Sequence, residues 1–255
     1  MKITCIMNQK GGTAKTVTAI NTAAILYRYH SNRVLLVDAD SQCNLTEFMT
    51  GELPPAERKT KGGLYDVLTG GPVMIRPTVL PGVDILPATD DLMNLDIGYG
   101  KGLADTKALA ELRAEINSMY DHMIIDCPPA FTASSVAALR AADQVVIPIK
   151  LDAFGIRGMA NLLLQIHNMQ QENPKLKVAG ILPTMYYKSA QADAAEQQLR
   201  DCGLRVFHHI RRSAMVDDMT FAQKPLIFTS PKSGACRDYR AFVEEFRKGG
   251  EHGGV

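Results

Sequence analysis

The sequence has no tryptophan, few cysteines and no long apolar run. Its five cysteines stand at positions 5, 43, 127, 202 and 236, and no two of them have C-x-x-C spacing. This odd, scattered set excludes a disulfide framework and a cysteine zinc site, and it fits free thiols in a reducing compartment. No apolar run reaches the roughly 18 residues of a membrane span, and the N-terminus shows no signal-peptide cleavage site.

An excess of charge is also missing, because 28 Lys and Arg residues face 27 Asp and Glu residues. With 46% hydrophobic residues, this composition indicates a globular chain rather than a disordered one. The 255 residues suffice for one large core. Since no internal repeat and no linker divides the sequence, we predict a single domain over residues 1–248 and a flexible glycine-rich tail over residues 249–255.

Short apolar runs alternate with helical patterns along the chain. Strands separated by helices predict an α/β fold with a mainly parallel sheet. Because the strands are apolar throughout, helices are expected on both faces of that sheet, and residues 50–82 are expected to be mainly surface loop. The predicted strands are Lys2–Met7, Arg33–Val37, Val83–Leu86, His122–Ile125, Gln144–Ile149 and Val178–Leu182. The predicted helices are Thr16–Tyr29, Leu64–Leu68, Leu103–Tyr120, Ala133–Ala142, Gly158–Gln171, Ala190–Cys202 and Asp238–Lys248.

A glycine-containing loop, KGGTAKT from Lys10 to Thr16, joins the first strand to the first helix. In that setting, backbone N–H groups of the loop and of the helix N-terminus point at a bound phosphate. Lys15 would then reach the β- and γ-phosphates of a nucleotide, and the Thr16 hydroxyl would reach Mg²⁺. The alternative is a solvated glycine turn with two surface lysines.

The loop departs from the strict pattern G-x-x-x-x-G-K-[ST], because Gln9 and Ala14 occupy the two glycine positions. If position 14 requires a positive φ, alanine there costs about 1 kcal/mol. Lys10 lies too early in the loop to duplicate the role of Lys15. The sequence therefore predicts a phosphate loop of an unusual kind.

Aspartates follow two of the predicted strands. Asp38 and Asp40 end the second strand, and Asp126 ends the fourth. Because the carboxyl ends of parallel strands face one crevice, these carboxylates are expected beside the phosphate loop, where they suit a metal and a water molecule. Taken singly, each is equally well explained as a turn or capping residue, but together with the loop they indicate a nucleotide site.

These residues resemble the ParA/MinD family of deviant Walker-A P-loop ATPases, and most closely its short ParA/Soj-type members, which lack an N-terminal DNA-binding domain. The resemblance spans almost the whole chain. It implies a P-loop NTPase fold in one ATPase domain, an ATP-dependent homodimer, and a cytoplasmic, nucleoid-associated protein. The matching stretches are Lys10–Thr16, Leu35–Thr46, Asp84–Ala88, Ile125–Pro129, Ala141–Asp143, Val146–Pro148, Lys224–Pro225 and Ser230–Ser233.

The resemblance also implies a role for each site residue. Lys10 would be the signature lysine that reaches the partner's ATP across the dimer, and Asp40 would position or activate the attacking water. Lys15 would act on the phosphates, and Thr16, Asp38 and Asp126 would form the magnesium site. The residues expected to contact the nucleotide are Gly11, Gly12, Thr13, Ala14, Lys15, Thr16 and Val17.

Two departures affect the nucleotide contacts. Val17 replaces a hydroxyl residue of the family, and a Pro-Arg-Asn stretch near the adenine of relatives reads Arg211-Arg212-Ser213 here. The choice of ATP over GTP is therefore implied by the family and not by the pocket. Tyr186 and Tyr187 are either neighbours of the base or packing residues.

The C-terminal third is the basic part of the chain, with 12 Lys plus Arg against 8 Asp plus Glu between positions 177 and 248. Such a surface can neutralise DNA phosphates without reading sequence, as the resemblance implies, although a solvated surface of mixed charge is the alternative. The DNA-binding candidates in its densest cluster are Arg200, Arg205, Arg211 and Arg212, and further candidates are Lys188, Arg237 and Arg240.

The predicted function is that of a plasmid-partition or chromosome-segregation ATPase, stimulated by a DNA-bound partner of ParB type. A MinD-like membrane role is disfavoured, because Glu244 and Glu245 would oppose anionic lipid in the last helix. The scattered cysteines disfavour the iron–sulfur carriers of the superfamily. A ParA-like regulator or conjugation factor, and a nucleotide-binding scaffold with little hydrolysis, remain open.

Overall fold

Short aliphatic and β-branched runs form the strands of one seven-stranded sheet, seen in a computed structural model that describes residues 1–51, 61–97, 102–201 and 203–249. The strand order is β3-β4-β2-β5-β1-β6-β7, and all neighbours are parallel except β3 and β4. The strands are β1 (Lys2–Ile6), β2 (Val34–Asp38), β3 (Arg76–Pro77), β4 (Val83–Leu86), β5 (His122–Asp126), β6 (Gln144–Lys150) and β7 (Lys177–Thr184).

Helices cover both faces of this sheet, which is why successive residues of a strand such as Cys5 and Ile6 are both buried. α1, α2, α9, α10 and α11 contribute to the core on one face, and α3 to α7 contribute to the core on the other. The helices are α1 (Lys15–His30), α2 (Asn44–Thr50), α3 (Leu64–Thr69), α4 (Leu92–Ile97), α5 (Ala108–Ile116), α6 (Ala133–Ala141), α7 (Ala153–Met169), α8 (Ala190–Asp201), α9 (Ala214–Ala222), α10 (Leu226–Thr229) and α11 (Gly234–Lys248).

The strand order brings the polar strand ends together. β5 lies between β2 and β1, so Asp126 is the register partner of both Asp38 and Ile6. The loop that follows Ile6 and the carboxylates that end β2 and β5 therefore meet at the carboxyl edge of the sheet. This is the edge at which open α/β sheets bind ligands.

A further segment, residues 205–211, runs parallel to β7 at the edge of the sheet. The backbone bridges Ile181 to Val206 and Tyr186 to Arg211 with a constant offset, and the amide of Arg212 donates to the Tyr186 carbonyl at 2.9 Å. This segment carries the chain back to the carboxyl edge, so that the following α9 begins beside the phosphate loop.

Several predicted boundaries need correction. The helix predicted over Leu103–Tyr120 is the shorter α5, and the elements that were not predicted are β3, α2, α4, α9 and α10. The helix after β6 begins at Ala153 rather than Gly158, because the Asp152 side chain caps it by accepting the Gly155 amide at 2.7 Å. Position 202 and residues 250–255 of the predicted tail lie outside the described residues.

No helix in the described ranges combines the length and the apolar character that a membrane crossing requires. The large apolar residues of α11 are buried against the domain, namely Phe242, Val243 and Phe246. The last helix thus serves the core and offers no apolar face to a lipid surface.

Candidate functional site

The phosphate loop is held in a defined conformation at the carboxyl edge. The Asn8 side chain fixes the start of the loop. Its Nδ2 donates to the Pro148 carbonyl at 2.6 Å, and its Oδ1 accepts a hydrogen bond from the Lys10 backbone amide at 3.0 Å. Gly12 has a φ of 70° and Ala14 a φ of 64°, so the chain turns through the left-handed region twice before α1. Ala14 therefore does occupy the strained position that its sequence place suggested.

Lys15 is buried, at 8% exposure, at the first position of α1. Burial lowers the pKa of Lys15, and the nearby carboxylates of Asp126 and Asp40 oppose that shift. Thr16 follows, and its hydroxyl donates to Asp126 Oδ2 at 2.6 Å. A cation and a hydroxyl thus stand side by side at a helix N-terminus, as an anion with a bound metal requires.

Asp126 is buried and incompletely bonded. Its Oδ1 has no hydrogen-bond partner among the described residues, although the atom is shielded from solvent. Burial and the neighbouring Asp38 raise the pKa of Asp126 well above its usual range, while Thr16 and Lys15 oppose the shift. An orphaned carboxylate oxygen beside a hydroxyl is a fitting ligand pair for a hard cation such as Mg²⁺.

Asp38 and Asp40 differ although they are two residues apart. Asp38 is fully buried, and its Oδ2 accepts hydrogen bonds from the Thr46 amide at 2.8 Å and the Thr46 hydroxyl at 2.7 Å. Burial raises the pKa of Asp38 to about 6, against the effect of these bonds. Asp40 is half-buried, and its Oδ1 accepts the Gln42 amide at 3.0 Å. Asp40 is thus the more accessible carboxylate.

Lys10 points away from this pair of carboxylates. Its Nζ lies 2.9 Å and 3.1 Å from the two carboxylate oxygens of Asp152, the residue that caps α7. The exposed ring of Phe154 lies 5.7 Å from the same nitrogen. The preceding Gln9 is also tied to α7, by hydrogen bonds with Asn161 and Gln165. The start of the loop is therefore anchored to α7, while its end enters α1.

A cavity of about 680 Å³ opens beside Ala14, between the phosphate loop and the start of α9. Its size and position suit the base and sugar of a nucleotide whose phosphates lie on the loop. Tyr187 lines this cavity, whereas Tyr186 stacks on His209 with ring centres 3.8 Å apart. Other residues of the wall are Thr184, Met185, Arg212, Ser213 and Asp217.

The four arginines predicted to bind DNA have different partners. Arg200 pairs with Glu196 at 2.7 Å, and Arg211 makes contacts of 2.7 Å and 2.9 Å with the buried Asp238. Arg205 donates to the Glu245 carbonyl at 2.7 Å. Arg212 has no ion-pair partner among the described residues, and it lies at the nucleotide cavity. The cluster seen in the sequence is divided between different neighbours.

Comparison with known proteins gives the same picture. A family model described as an AAA domain matches residues 1–178. Chromosome partitioning protein ParA of Caulobacter vibrioides is 32% identical over 96% of this chain and 93% of that protein. Chromosome-partitioning ATPase Soj of Thermus thermophilus is 36% identical over 94% of this chain and 93% of that protein. The chain belongs to the ParA/MinD family of P-loop ATPases.

The chain is also similar to a solved structure that contains a nucleotide and magnesium. Cobyrinic acid a,c-diamide synthase of Mycobacterium smegmatis, with bound ADP and magnesium, superposes with a TM-score of 0.81. It is 29% identical, and the match covers 100% of this chain and 97% of that protein. Nucleotide and magnesium binding are thus properties of the family, and this member is a ParA-like ATPase.

Two contributors to this ParA/MinD site were not predicted. Asp152 lies two residues after the apolar strand β6, and Asp126 is the last residue of β5, so a similar strand-end pattern was available for Asp152. Thr46 binds Asp38 from α2, a helix that the sequence did not reveal. The contact between Lys10 and Asp152 joins residues 142 positions apart, and no local pattern announces it.

Proposed function

We propose that this ParA-like ATPase dimerises on ATP, binds nonspecific duplex DNA in that form, and hydrolyses ATP when a DNA-bound ParB-like partner stimulates it. The observation that carries the proposal is the meeting of Lys15, Thr16 and Asp126 at one edge of the sheet, with Lys10 directed outward. A loop that holds one lysine inward and one outward suits a site completed by a second subunit.

In this proposal the phosphates lie on the N–H groups from Gly11 to Val17, with Lys15 against the β- and γ-phosphates. Thr16 and Asp126 would hold Mg²⁺, and Asp38 would support them from its bonds with Thr46. Bound Mg²⁺ would neutralise charge on the phosphate oxygens. The free Oδ1 of Asp126 is the feature of this chain that fits that role.

Hydrolysis requires a water in line with the bond between the γ-phosphorus and the bridging oxygen to the β-phosphate. Asp40 is the accessible carboxylate at this edge, and it would orient that water by accepting one of its hydrogens. Attack would form a bond between the water oxygen and the γ-phosphorus and break the bond from the γ-phosphorus to the bridging oxygen, which leaves as part of ADP, while the γ-phosphoryl group leaves as phosphate. Lys15 and the partner's Lys10 would stabilise the charge that builds on the transferred oxygens.

Lys10 must leave Asp152 before it can act across a dimer. The two side chains are 35% and 28% exposed, so their ion pair contributes at most about 1 kcal/mol. That amount is small beside the free energy of a protein–protein contact. The ion pair with Asp152 can therefore hold Lys10 in the single subunit and still break when two subunits associate on ATP.

ATP is the proposed nucleotide and duplex DNA the proposed partner, as for a segregation ATPase associated with the nucleoid. DNA binding would depend on ATP because two subunits present two copies of the same basic surface. A membrane role has less support, since the apolar residues of α11 are buried. Magnesium dependence follows from the ligand set at Thr16 and Asp126.

The test measures oligomeric state and binding to a duplex of arbitrary sequence with ATP, with ADP and without nucleotide, at two salt concentrations. We expect a dimer and salt-sensitive DNA binding with ATP alone. Lys15→Ala should lose nucleotide binding, whereas Lys10→Ala should bind ATP and lose stimulated hydrolysis. Nucleotide-independent DNA binding, or a Lys10→Ala protein with normal stimulated hydrolysis, would contradict the proposal.

A further inference from the structure

A second group of arginines, which includes the further candidates Arg237 and Arg240, lies in a groove between α1 and α11. This cavity of about 570 Å³ is bordered by Tyr29 and His30 of α1 and by Arg237, Arg240 and Glu244 of α11. We call it the α1/α11 groove. Arg28 of α1 is exposed beside Tyr29, and its guanidinium lies 5.9 Å from the ring centre of Tyr29.

The guanidiniums of this groove are arranged around one aromatic ring. Tyr29 is 43% exposed, and the Arg240 guanidinium lies 4.5 Å from its ring centre. Arg28 approaches the same ring, so one tyrosine holds two cations by cation–π contacts. A cation–π contact with the ring leaves the N–H groups of a guanidinium available to an anion.

These arginines lack the partners that occupy the predicted cluster. Within the described ranges, neither Arg28 nor Arg240 has an ion pair with an acidic side chain, and Arg237 donates only to the Lys232 carbonyl at 2.9 Å. By contrast, Arg200 and Arg211 are neutralised by carboxylates. Like charges that lie close together repel one another, and a polyanion would relieve that repulsion.

One carboxylate faces the groove. Glu244 lies 3.0 Å from His30 and 3.8 Å from Arg247, and neither contact involves the arginines at Tyr29. Arg237, Arg240 and Arg247 fall at helical spacings of three and seven along α11, which places them on one side over roughly 15 Å. Duplex DNA carries about nine phosphate charges over that length of its axis.

We propose that the α1/α11 groove, with Arg237 in its wall and with Arg28 and Arg240 at Tyr29, is the surface that contacts the phosphates of double-stranded DNA. The proposal rests on the function proposed above and specifies where the DNA binds. Guanidiniums suit phosphate recognition, and their contacts carry no base information, so binding here is nonspecific in sequence. A lipid surface is the poorer match, because α11 presents arginines there and buries its apolar residues.

The groove is also connected to the nucleotide site. α1 begins with Lys15 at the phosphate loop and ends at His30 beside the groove, a helix of 16 residues or about 24 Å. Because one helix carries both sites, each subunit of an ATP-bound dimer would present its groove in a fixed place. When two grooves bind one duplex, the second groove binds DNA that is already held close to it. This high effective concentration raises the overall affinity for DNA.

The experiment measures binding of a fluorescent duplex by anisotropy with ATP, as a function of salt. We expect the double variant Arg28→Ala/Arg240→Ala to bind at least about 10-fold more weakly near 0.1 M salt. The slope of log K against log salt should fall by up to about 0.9 for each arginine removed. Arg200→Ala, an exposed arginine already paired with Glu196, is the matched control and should bind like the wild type.

Glu244→Gln supplies a test in the opposite direction, because it removes the carboxylate that faces the groove. It should strengthen DNA binding by about two- to threefold. A misfolded variant would bind DNA more weakly, so a gain in affinity cannot be attributed to misfolding. ATP binding and thermal unfolding are measured for every variant.

Wild-type affinity in the double variant, or a loss confined to Arg200→Ala or Arg212→Ala, would overturn the proposal while leaving ATP-dependent DNA binding intact. Absence of DNA binding by the wild type would instead remove the proposed function. Vesicles of phosphatidylglycerol serve as the second probe. Lipid binding that depends on Arg28 and Arg240, with unchanged DNA binding, would reassign the groove to membranes.

Discussion

The phosphate edge and the basic C-terminal third both gather charged residues, but they hold them in different ways. At the phosphate edge, Lys15, Asp38 and Asp126 are buried, and the register of β1, β2 and β5 fixes their places. On the basic surface, Arg211 and Arg205 take partners from α11, a helix remote in sequence. Sequence spacing therefore predicts the position of a charged residue where strand register fixes it. It does not predict which partner a long surface side chain contacts.

Buried charges and surface charges differ in what they indicate about function. A buried charge near other charges is costly unless its surroundings are fixed, so such residues mark a site built for a ligand. A surface arginine is free to pair with any nearby carboxylate, and pairing removes it as a contact for phosphate. Counting arginines in the sequence takes no account of such pairs, which Arg200 and Arg211 form with acidic side chains.

The largest expected effect lies at the phosphate edge. Asp40→Ala should lower stimulated hydrolysis by about 10²- to 10³-fold and leave ATP binding and dimer formation nearly unchanged, because Asp40 would orient water and not hold phosphate. Phosphate release and nucleotide affinity are the measurements. Asp105→Ala, which changes an exposed aspartate just before α5, is the control. Equal loss of binding and turnover would mean that Asp40 belongs to the metal site instead.

The next effect separates two adjacent arginines on the basic surface. Arg211→Ala should lower the free energy of unfolding by about 2 kcal/mol, because it leaves the buried carboxylate of Asp238 without its main partner. The estimate is modest since the Arg211 side chain is 50% exposed. Arg212→Ala, the matched control without an acidic partner, should change stability by less than about 0.5 kcal/mol. Urea unfolding measures both.

The pH dependence of that difference checks its electrostatic origin. Burial raises the pKa of Asp238, but hydrogen bonds and charge from Arg211 outweigh it, so the pKa of this carboxyl is lowered overall. A lowered pKa stabilises the fold above the unfolded value of about 3.9, and this stabilisation is lost as the pH falls through the folded value. The gap between Arg211→Ala and wild type should therefore narrow at acidic pH. A constant gap would indicate lost packing.

Much of the fold and of the phosphate site was predictable from residue patterns. Apolar runs located six of the strands within a residue or two, because strands covered on both faces must be apolar throughout. α9 was missed for a physical reason: within it only Met219 is buried, and Phe221 is 89% exposed. A helix that contacts the core at one position shows no amphipathic period, so α9 was not predicted, although Arg212 and Ser213 just before it were expected near the base and line the cavity.

A smaller effect concerns the ion pair that links the loop to α7. Asp152→Ser keeps a side-chain oxygen to cap α7 at the Gly155 amide but removes the carboxylate that holds Lys10. Freed from this contact, Lys10 should reach a partner more readily, and ATP-dependent dimerisation should rise by up to about fivefold. Sedimentation with ATP measures it. Glu172→Ser, which breaks a comparable pair with Arg140, should leave dimerisation unchanged. A weaker dimer would show that Asp152 itself contacts the second subunit.

The smallest effect tests whether the phosphate edge stores strain. Ala14 has a φ of 64°, and alanine in that region costs about 1 kcal/mol more than glycine. Glycine gains more freedom in the unfolded chain, which offsets about half of that advantage. Ala14→Gly should therefore stabilise the protein by about 0.5 kcal/mol, as urea unfolding would measure. Ala160→Gly, in the exposed interior of α7, is the matched control and should destabilise by about 1 kcal/mol. If both variants lost stability alike, the left-handed turn at Ala14 would carry no strain, and the alanine would be an ordinary residue of the loop.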